Sequence, residues 1–282
     1  MTMPRTRAFV QVDVFSTSPY SGNPVAVVLD GTDLSDEEMQ RLARWTNLSE
    51  TTFVLPATVP EADYLLRIFT PDGELPFAGH PTLGSARAWL DGGGTPRHAD
   101  RIVQECAVGL ITVRRGEDTL SFAAPPRVRE GALDEDQLRG IVAAFGITRD
   151  RVVAHQWVDN GPGWAVVQLS TAEEVLALEP DFSLLPDAMV GALGACPDGS
   201  RHRYELRTFA PGAGVPEDPA CGSMNAAVGQ WLTSTGAAPS SYRVSQGTRL
   251  GRAASIEITA DADGTVWVSG AAVVCIRGTI TL

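Results

Sequence analysis

The chain repeats itself. Residues 66–76, LRIFTPDGELP, return 140 residues later as LRTFAPGAGVP, with Leu66/Leu206, Arg67/Arg207, Phe69/Phe209, Pro71/Pro211 and Pro76/Pro216 keeping one spacing. Each stretch runs on through small residues into a segment ending Trp89-Leu90 or Trp231-Leu232, where the spacing is 142, as an insertion of two residues predicts. Upstream, Ala26-Val27-Val28 is echoed by Ala165-Val166-Val167 at a spacing of 139. Three matches in one order at nearly one spacing point to a duplicated half of about 140 residues. A chain of 282 residues is long enough for each half to hold its own core. The expected halves are 1–125 and 126–282, with the last strand able to return to the first half.

Local patterns give the halves a common grammar. The first opens with alternating apolar positions in FVQVDVF, a turn at SPYSGNP and a β-branched run VAVVLD, which read as two strands joined by a loop. Ser35 and Glu38 fit a capping box, and Met39, Leu42 and Ala43 put apolar groups on one face of a helix ending near Thr46. TTFVLP and YLLRIFT read as strands, PDGELPFAG as a loop, and a second helix is expected from about Pro81 to Leu90. GLITVRR and TLSFAAP, separated by GED, form a hairpin pattern. The second half offers a helix at DEDQLRGIVAAFG, strands at WAVVQL and YELRTFA, and a helix from about Ser223 to Ser234. SIEITA, TVWVSG and AVVCIRGTI complete it with strands, and AAPPRVREG reads as the link between halves. One principal helix per half among mixed strands predicts an α+β fold, each half a curved mixed sheet around a central helix.

Composition narrows the partners. The formal net charge of −12 works against nucleic acid or an anionic membrane surface, while a small anionic substrate can still be held by a local site. No apolar run is long enough to cross a bilayer, and the opening MTMPRTRAFVQVDVF lacks the apolar core and cleavage site of a secretory signal. The expected compartment is the cytoplasm. Four cysteines (106, 196, 221, 275) and four histidines (80, 98, 155, 202) show neither CxxC nor metal-ligand spacing, so no structural zinc and no disulfide framework are expected.

The echoed segments each lead into a helix N-terminus, where unpaired N–H groups and the positive end of the helix dipole gather. If two related halves face one another, Gly79-His80 and Gly222-Ser223 form a pocket suited to a carboxylate, the glycines permitting close backbone approach. Glu50, His80, Asp218 and Cys221 are the reactive side chains of these stretches. Taken singly, each has an ordinary reading. Glu50 fits a solvated strand-edge carboxylate, and His80 a helix-end ring held by carbonyls. Asp218 fits a helix cap, and Cys221 a small buried apolar residue.

Taken together, VDVFSTSPYSGNPVAVVLD, NLSETTFVLP, FTPDGELPFAGHPTLG, EDPACGSMNAA and the closing GTI resemble the PhzF family of phenazine-biosynthesis-like isomerases. The motifs are ordered and span nearly the whole chain. The resemblance implies the diaminopimelate epimerase-like fold, two pseudo-symmetric halves with the site between them. It places the family's acid/base glutamate on Glu50, its Gly-His on Gly79 and His80, its second-half aspartate on Asp218, and its Gly-Ser on Gly222 and Ser223. It also implies action without metal or organic cofactor, a small carboxylate-bearing substrate and a homodimer. One departure stands out: the phenazine enzyme carries His-Ala-Thr where this chain has Pro219-Ala220-Cys221, which points away from the phenazine substrate. Cys221 stands where related epimerases and racemases carry one of two catalytic thiols. The other thiol position falls near Gly79, where no cysteine is present, so a symmetrical two-thiol racemase is excluded. Three readings stay open: an isomerase with Glu50 as its acid/base, an epimerase using Glu50 and Cys221, and a small-ligand-binding protein without turnover.

Overall fold

The computed structural model describes residues 5–282. It contains two compact units, one made of the chain up to Phe122 together with Ser269–Leu282, the other of Ala123–Val268. In chain order the first unit begins with strands β1 (Thr6–Val14) and β2 (Asn23–Val28), helix α1 (Asp36–Thr46) and strands β3 (Thr51–Leu55), β4 (Tyr64–Phe69) and β5 (Glu74–Leu75). Helix α2 (Gly79–Asp91) and strands β6 (Arg101–Cys106), β7 (Gly109–Arg115) and β8 (Leu120–Ala123) follow. β1 and β2 are antiparallel, β2 and β3 parallel, β3 and β4 antiparallel, β4 and β6 parallel, and β6 to β8 an antiparallel meander. The parallel β2–β3 pair needs a crossover, which α1 supplies.

The second unit starts with β9 (Arg129–Gly131), a short strand inside the segment expected to be a plain link, and α3 (Glu135–Ala144). β10 (Ala154–Asp159), β11 (Ala165–Thr171), α4 (Ala172–Leu176), β12 (Val190–Ala195), β13 (Tyr204–Ala210) and β14 (Val215–Asp218) come next. Then come α5 (Gly222–Ser234), β15 (Ser241–Gln246), β16 (Ala254–Ala260) and β17 (Val266–Gly270). The pairing order recurs: β10–β11 antiparallel, β11–β12 parallel, β12–β13 antiparallel, β13–β15 parallel and β15–β16 antiparallel. The final strand, β18 (Ala272–Thr281), belongs to the first unit and lies antiparallel to β1, Val14 opposite Ala272 and Thr6 opposite Thr281.

Local chemistry accounts for the elements. α1 starts at a true capping box, Glu38 N–H donating to Ser35 Oγ and Ser35 N–H to Glu38 Oε2, with three acidic residues in its first turn. It stops at Asn47 in the left-handed region, φ 54°, and buries Met39, Leu42 and Ala43 against Val28, Phe53 and Phe69. α2 and α5 are different. Both run 13 residues and are buried along nearly their whole length by small side chains, the pattern of a helix enclosed by its sheet rather than laid on it. Buried hydroxyls on α2 are satisfied across to the strands, Ser85 by Thr52 at 2.8 Å and Thr82 by Gln104 at 3.1 Å.

The close packing of α2 has a testable cost. A Cβ added to Gly84 would lie 2.3 Å from Cγ1 of Val25 and 3.0 Å from Cγ2 of Val14, both on β-branched side chains with little freedom. Gly84→Ala is expected to lose about 1–3 kcal/mol by overpacking despite the helix propensity of alanine, read as a lower midpoint in chemical or thermal unfolding. An unchanged midpoint would mean that β1 and β2 yield more readily than this packing allows.

The structure corrects the internal alignment. Ile68 opposes Leu75 and Thr208 opposes Asp218, while the central helices begin at Gly79 and Gly222. The spacing therefore changes from 140 to 143 within the β13–β14 hairpin, which carries three extra residues around the turn Pro211–Ala213. Pro219, not Pro216, is the counterpart of Pro76, and an insertion of two is replaced by one of three.

Candidate active site

In the first unit, three elements bring Asn23, Glu50 and His80 together. Asn23 opens β2, Glu50 ends the connection from α1 to β3, and His80 is the second residue of α2. The Glu50 carbonyl accepts from Ala26 N–H at 3.4 Å, tying the backbone of this residue to β2. Its carboxylate Oε2 lies 3.2 Å from His80 Nε2, with side-chain exposures of 13% and 4%. Glu50 is thus not a solvated edge residue. The other ring nitrogen, Nδ1, lies 3.3 Å from Nδ2 of the fully buried Asn23. Burial pushes the His80 pKa down to about 3, against a backbone hydrogen bond to Pro24 that raises it. The imidazole is neutral at ordinary pH, so its contact with Glu50 joins a carboxyl group to an uncharged ring rather than forming an ion pair.

The helix that carries His80 has no side-chain cap. α1, α3 and α4 are capped by Ser35, Asp134 and Thr171, whereas α2 begins at Ala78 and α5 at Cys221 with no side-chain cap hydrogen bond. The first turns of both central helices therefore leave their N–H groups to other acceptors. Gly79 is fixed by packing: a Cβ there would lie 2.3 Å from the Phe122 ring.

In the second unit, Asp218 closes β14 and its Oδ1 accepts from Ala220 N–H at 2.9 Å. It does not cap α5, since Cys221 occupies that position. Two amides hold the segment. Gln246 Nε2 donates to the Asp218 carbonyl at 2.9 Å, and its Oε1 accepts from Cys221 N–H at 3.2 Å and from Asn225 Nδ2 at 2.8 Å. Asn225 Nδ2 also donates to the Cys221 carbonyl at 2.9 Å. Ser223 Oγ accepts from Trp164 Nε1 at 2.9 Å and stands 3.4 Å from the Cys221 sulfur, while Asn160 donates to the Ser223 carbonyl. Burial pushes the Asp218 carboxyl up to about 6, with the neighbouring Glu217 charge adding to the rise and hydrogen bonds from Ala220 and Cys221 opposing it.

Each unit thus gathers its own share of the expected residues: Glu50, Gly79 and His80 in the first, Asp218, Cys221, Gly222 and Ser223 in the second. Asn23, Gln246, Asn225 and Trp164 are additions that sequence reasoning missed. Asn23 was within reach, standing in GNP where the turn passes into β2. Among the described residues, no group of three or more His, Cys, Asp or Glu side chains gathers as a metal site, and no helix is long and apolar enough to cross a membrane.

Comparison with known proteins follows the same lines. The family model PhzC-PhzF, described as phenazine biosynthesis-like protein, matches residues 12–278. The chain is 40% identical over 295 residues to antisense-enhancing sequence 1 of Schizosaccharomyces pombe, covering 96% of this chain and 97% of that protein. It is 38% identical over 285 residues to trans-2,3-dihydro-3-hydroxyanthranilate isomerase of Pseudomonas chlororaphis, covering 97% and 99%. Among solved structures, one described as a predicted epimerase from Pseudomonas aeruginosa superposes with a TM-score of 0.78 at 27% identity, covering 97% and 99%. The fold is α+β and epimerase-like.

Proposed function

The chain belongs to the PhzC-PhzF family of phenazine biosynthesis-like proteins, and from that premise we propose that it is a cofactor-independent isomerase shifting a proton on a small carboxylate-bearing substrate. The observation that carries the reading is the Glu50 carboxyl held 3.2 Å from a neutral His80 at the uncapped start of α2. A carboxyl group there can take a proton from carbon and return it, because the neutral ring offers a hydrogen-bonding partner without a fixed positive charge that would pin the carboxylate in its basic form. His80 and Asp218 orient and polarise the substrate. The N–H groups at Gly79, His80, Gly222 and Ser223 receive its carboxylate and the negative charge that develops as the proton leaves. The full-length similarity to an isomerase acting on trans-2,3-dihydro-3-hydroxyanthranilate supports the reaction class, while Pro219-Ala220-Cys221 argues for a different substrate within it. Duplication of an ancestral half accounts for the recurring pairing order. A homodimer in the cytoplasm completes the reading, with light scattering on the purified protein as the check on its assembly.

The test is incorporation of solvent deuterium. Mass spectrometry in D₂O should show one deuteron entering trans-2,3-dihydro-3-hydroxyanthranilate or a member of a panel of small cyclic and amino-acid-like carboxylates. Absence of exchange across the panel, with binding detected by thermal shift, would favour a ligand-binding protein instead. Cys221 decides between isomerase and epimerase. A proton moved along one face of a substrate needs one carboxyl group, whereas inversion needs a second group on the other face, and Cys221 is the reactive thiol at hand. Cys221→Ser is expected to retain most of the wild-type rate. Loss of turnover in this variant, together with an inverted product, would make the protein a two-base epimerase.

A further inference from the structure

The two echoed arginines have so far no role. Both make the same fork. Arg67 donates through Nε and Nη2 to the two oxygens of Glu74 at 2.7 and 2.6 Å, and Arg207 does so to Glu217 at 2.9 and 2.8 Å. Each guanidinium lies over the phenylalanine two residues on, 5.1 Å from Phe69 and 4.9 Å from Phe209. The remaining amine reaches toward the crossover helix in both units, to Asp36 at the start of α1 and to the Val175 and Leu178 carbonyls at and beyond the end of α4. Glu74 and Glu217 each stand five residues before the start of their central helix. The fork therefore ties the outer strand of each hairpin, the piece of chain that enters α2 or α5, to the inner strand and to the crossover.

The two forks differ in burial. Arg207 and Glu217 have side-chain exposures of 5% and 12%, against 22% and 38% for Arg67 and Glu74. The residue after Glu217 is Asp218, whereas the residue after Glu74 is Leu75. The hairpin of the second unit is also the one with three additional residues, hence the one with more freedom to lose. We propose that Arg207 is a positioning residue: its buried two-point grip on Glu217 fixes the β14 segment so that the Asp218 carboxyl is held in place, a role the exposed Arg67–Glu74 fork does not share. The grip acts through Glu217 and touches no substrate.

This inference rests on the reading of Asp218 as a substrate-polarising group, so the test separates the two. The titratable groups that act on Asp218 are Glu217 and Cys221 on its own segment, while Arg207 and Glu205 on β13 act on Glu217 and on one another. The paired substitution Arg207→Met with Glu217→Leu removes both charges at once, which a buried site tolerates better than the loss of one. In the resting protein the Asp218 carboxyl carbon is followed by NMR titration, and turnover is read as deuterium incorporation into whichever carboxylate of the panel, trans-2,3-dihydro-3-hydroxyanthranilate among them, the wild type exchanges. The expected result is a cooperative, folded variant in which the Asp218 titration midpoint rises, because the hydrogen bonds from Ala220 and Cys221 that lower it are lost, whereas loss of the Glu217 charge alone would lower it, and kcat falls about tenfold to a hundredfold. The same pair of changes at Arg67 and Glu74 should leave the Asp218 titration in place. An Asp218 midpoint unchanged or lowered in the folded Arg207/Glu217 variant overturns the inference. A raised midpoint with unchanged kcat upholds the positioning and overturns the catalytic reading of Asp218. If the paired variant does not fold, Arg207→Lys keeps both charges and breaks the two-point grip: a raised midpoint supports the proposal, and an unmoved one overturns it.

Discussion

Glu50→Gln is expected to remove nearly all turnover, a loss of about 10²- to 10⁴-fold in kcat, while leaving the fold intact. Glutamine matches the shape of glutamate at a position only 13% exposed and keeps an atom within reach of His80 Nε2. Loss of the negative charge leaves no buried cation behind, because the ring opposite is neutral. What disappears is the group proposed to accept and return a proton. The variant should therefore unfold at nearly the wild-type midpoint and bind small carboxylates about as well, since the helix-end N–H groups are untouched. Deuterium exchange persisting at more than about a tenth of the wild-type rate would remove Glu50 from the chemistry and direct attention to Asp218.

The second large effect is a loss of stability on acidification that originates at His80. The folded-state pKa of the ring is depressed to about 3, while an unfolded histidine titrates near ~6.5. Between these values the unfolded chain holds a proton that the folded chain does not. The stability contributed by the neutral ring is therefore complete above pH ~6.5 and is lost as pH falls through that window toward 3, on the order of 5 kcal/mol in all. Asp218 acts in the opposite sense. Its carboxyl is raised to about 6, so its contribution is greatest below the unfolded value and is lost as pH rises through 6. The two partly cancel between pH 6 and 4. Urea unfolding of the wild type and of His80→Asn at pH 7 and pH 4.5 isolates the histidine: the variant should be less stable at pH 7 and lose less on acidification. Equal losses in the two proteins would show that the ring is protonated in the fold.

Much of this molecule was legible in its sequence because its signals are local. The Ser35/Glu38 capping box marked α1, alternation in FVQVDVF marked β1, and the apolar run YLLRIFT marked β4. The stretches around Glu50, Gly79-His80 and Asp218 were recognisable as blocks. The failures have equally physical causes. Pro216 was matched to Pro76 because an identical residue at a constant spacing looks like an anchor, yet only strand pairing shows that the hairpin has grown by three residues. The ordinary readings of Glu50 and Asp218 failed for want of three-dimensional context, one being held beside His80 and the other standing three residues ahead of the helix cap. Gln246, which carries the segment 218–221 on its amide, comes from a strand beyond α5 and has no signature of its own. The contrast between a half-exposed Arg67 fork and a buried Arg207 fork depends on what covers each hairpin, which an identical Leu-Arg-x-Phe in both places does not encode.

The pairing of β18 with β1 bears on the order in which the chain can assemble. Val14 meets Ala272, and beyond the strands Arg5 and Leu282 exchange backbone hydrogen bonds at 2.7 and 3.0 Å. The second unit is continuous in sequence, so it can complete its sheet on the ribosome as soon as its own residues have emerged. The first unit cannot. Its earliest strand waits with one edge unfilled until β18 is made, and the loop that must then close runs from Val14 to Ala272, a slow step by its entropy alone. During that wait β1 is an open edge of the kind that recruits strands from other chains. Translation that stops short of residue 272 would therefore release a protein whose first unit keeps an adhesive edge, so completion of β18 guards this molecule against aggregation as well as finishing its sheet.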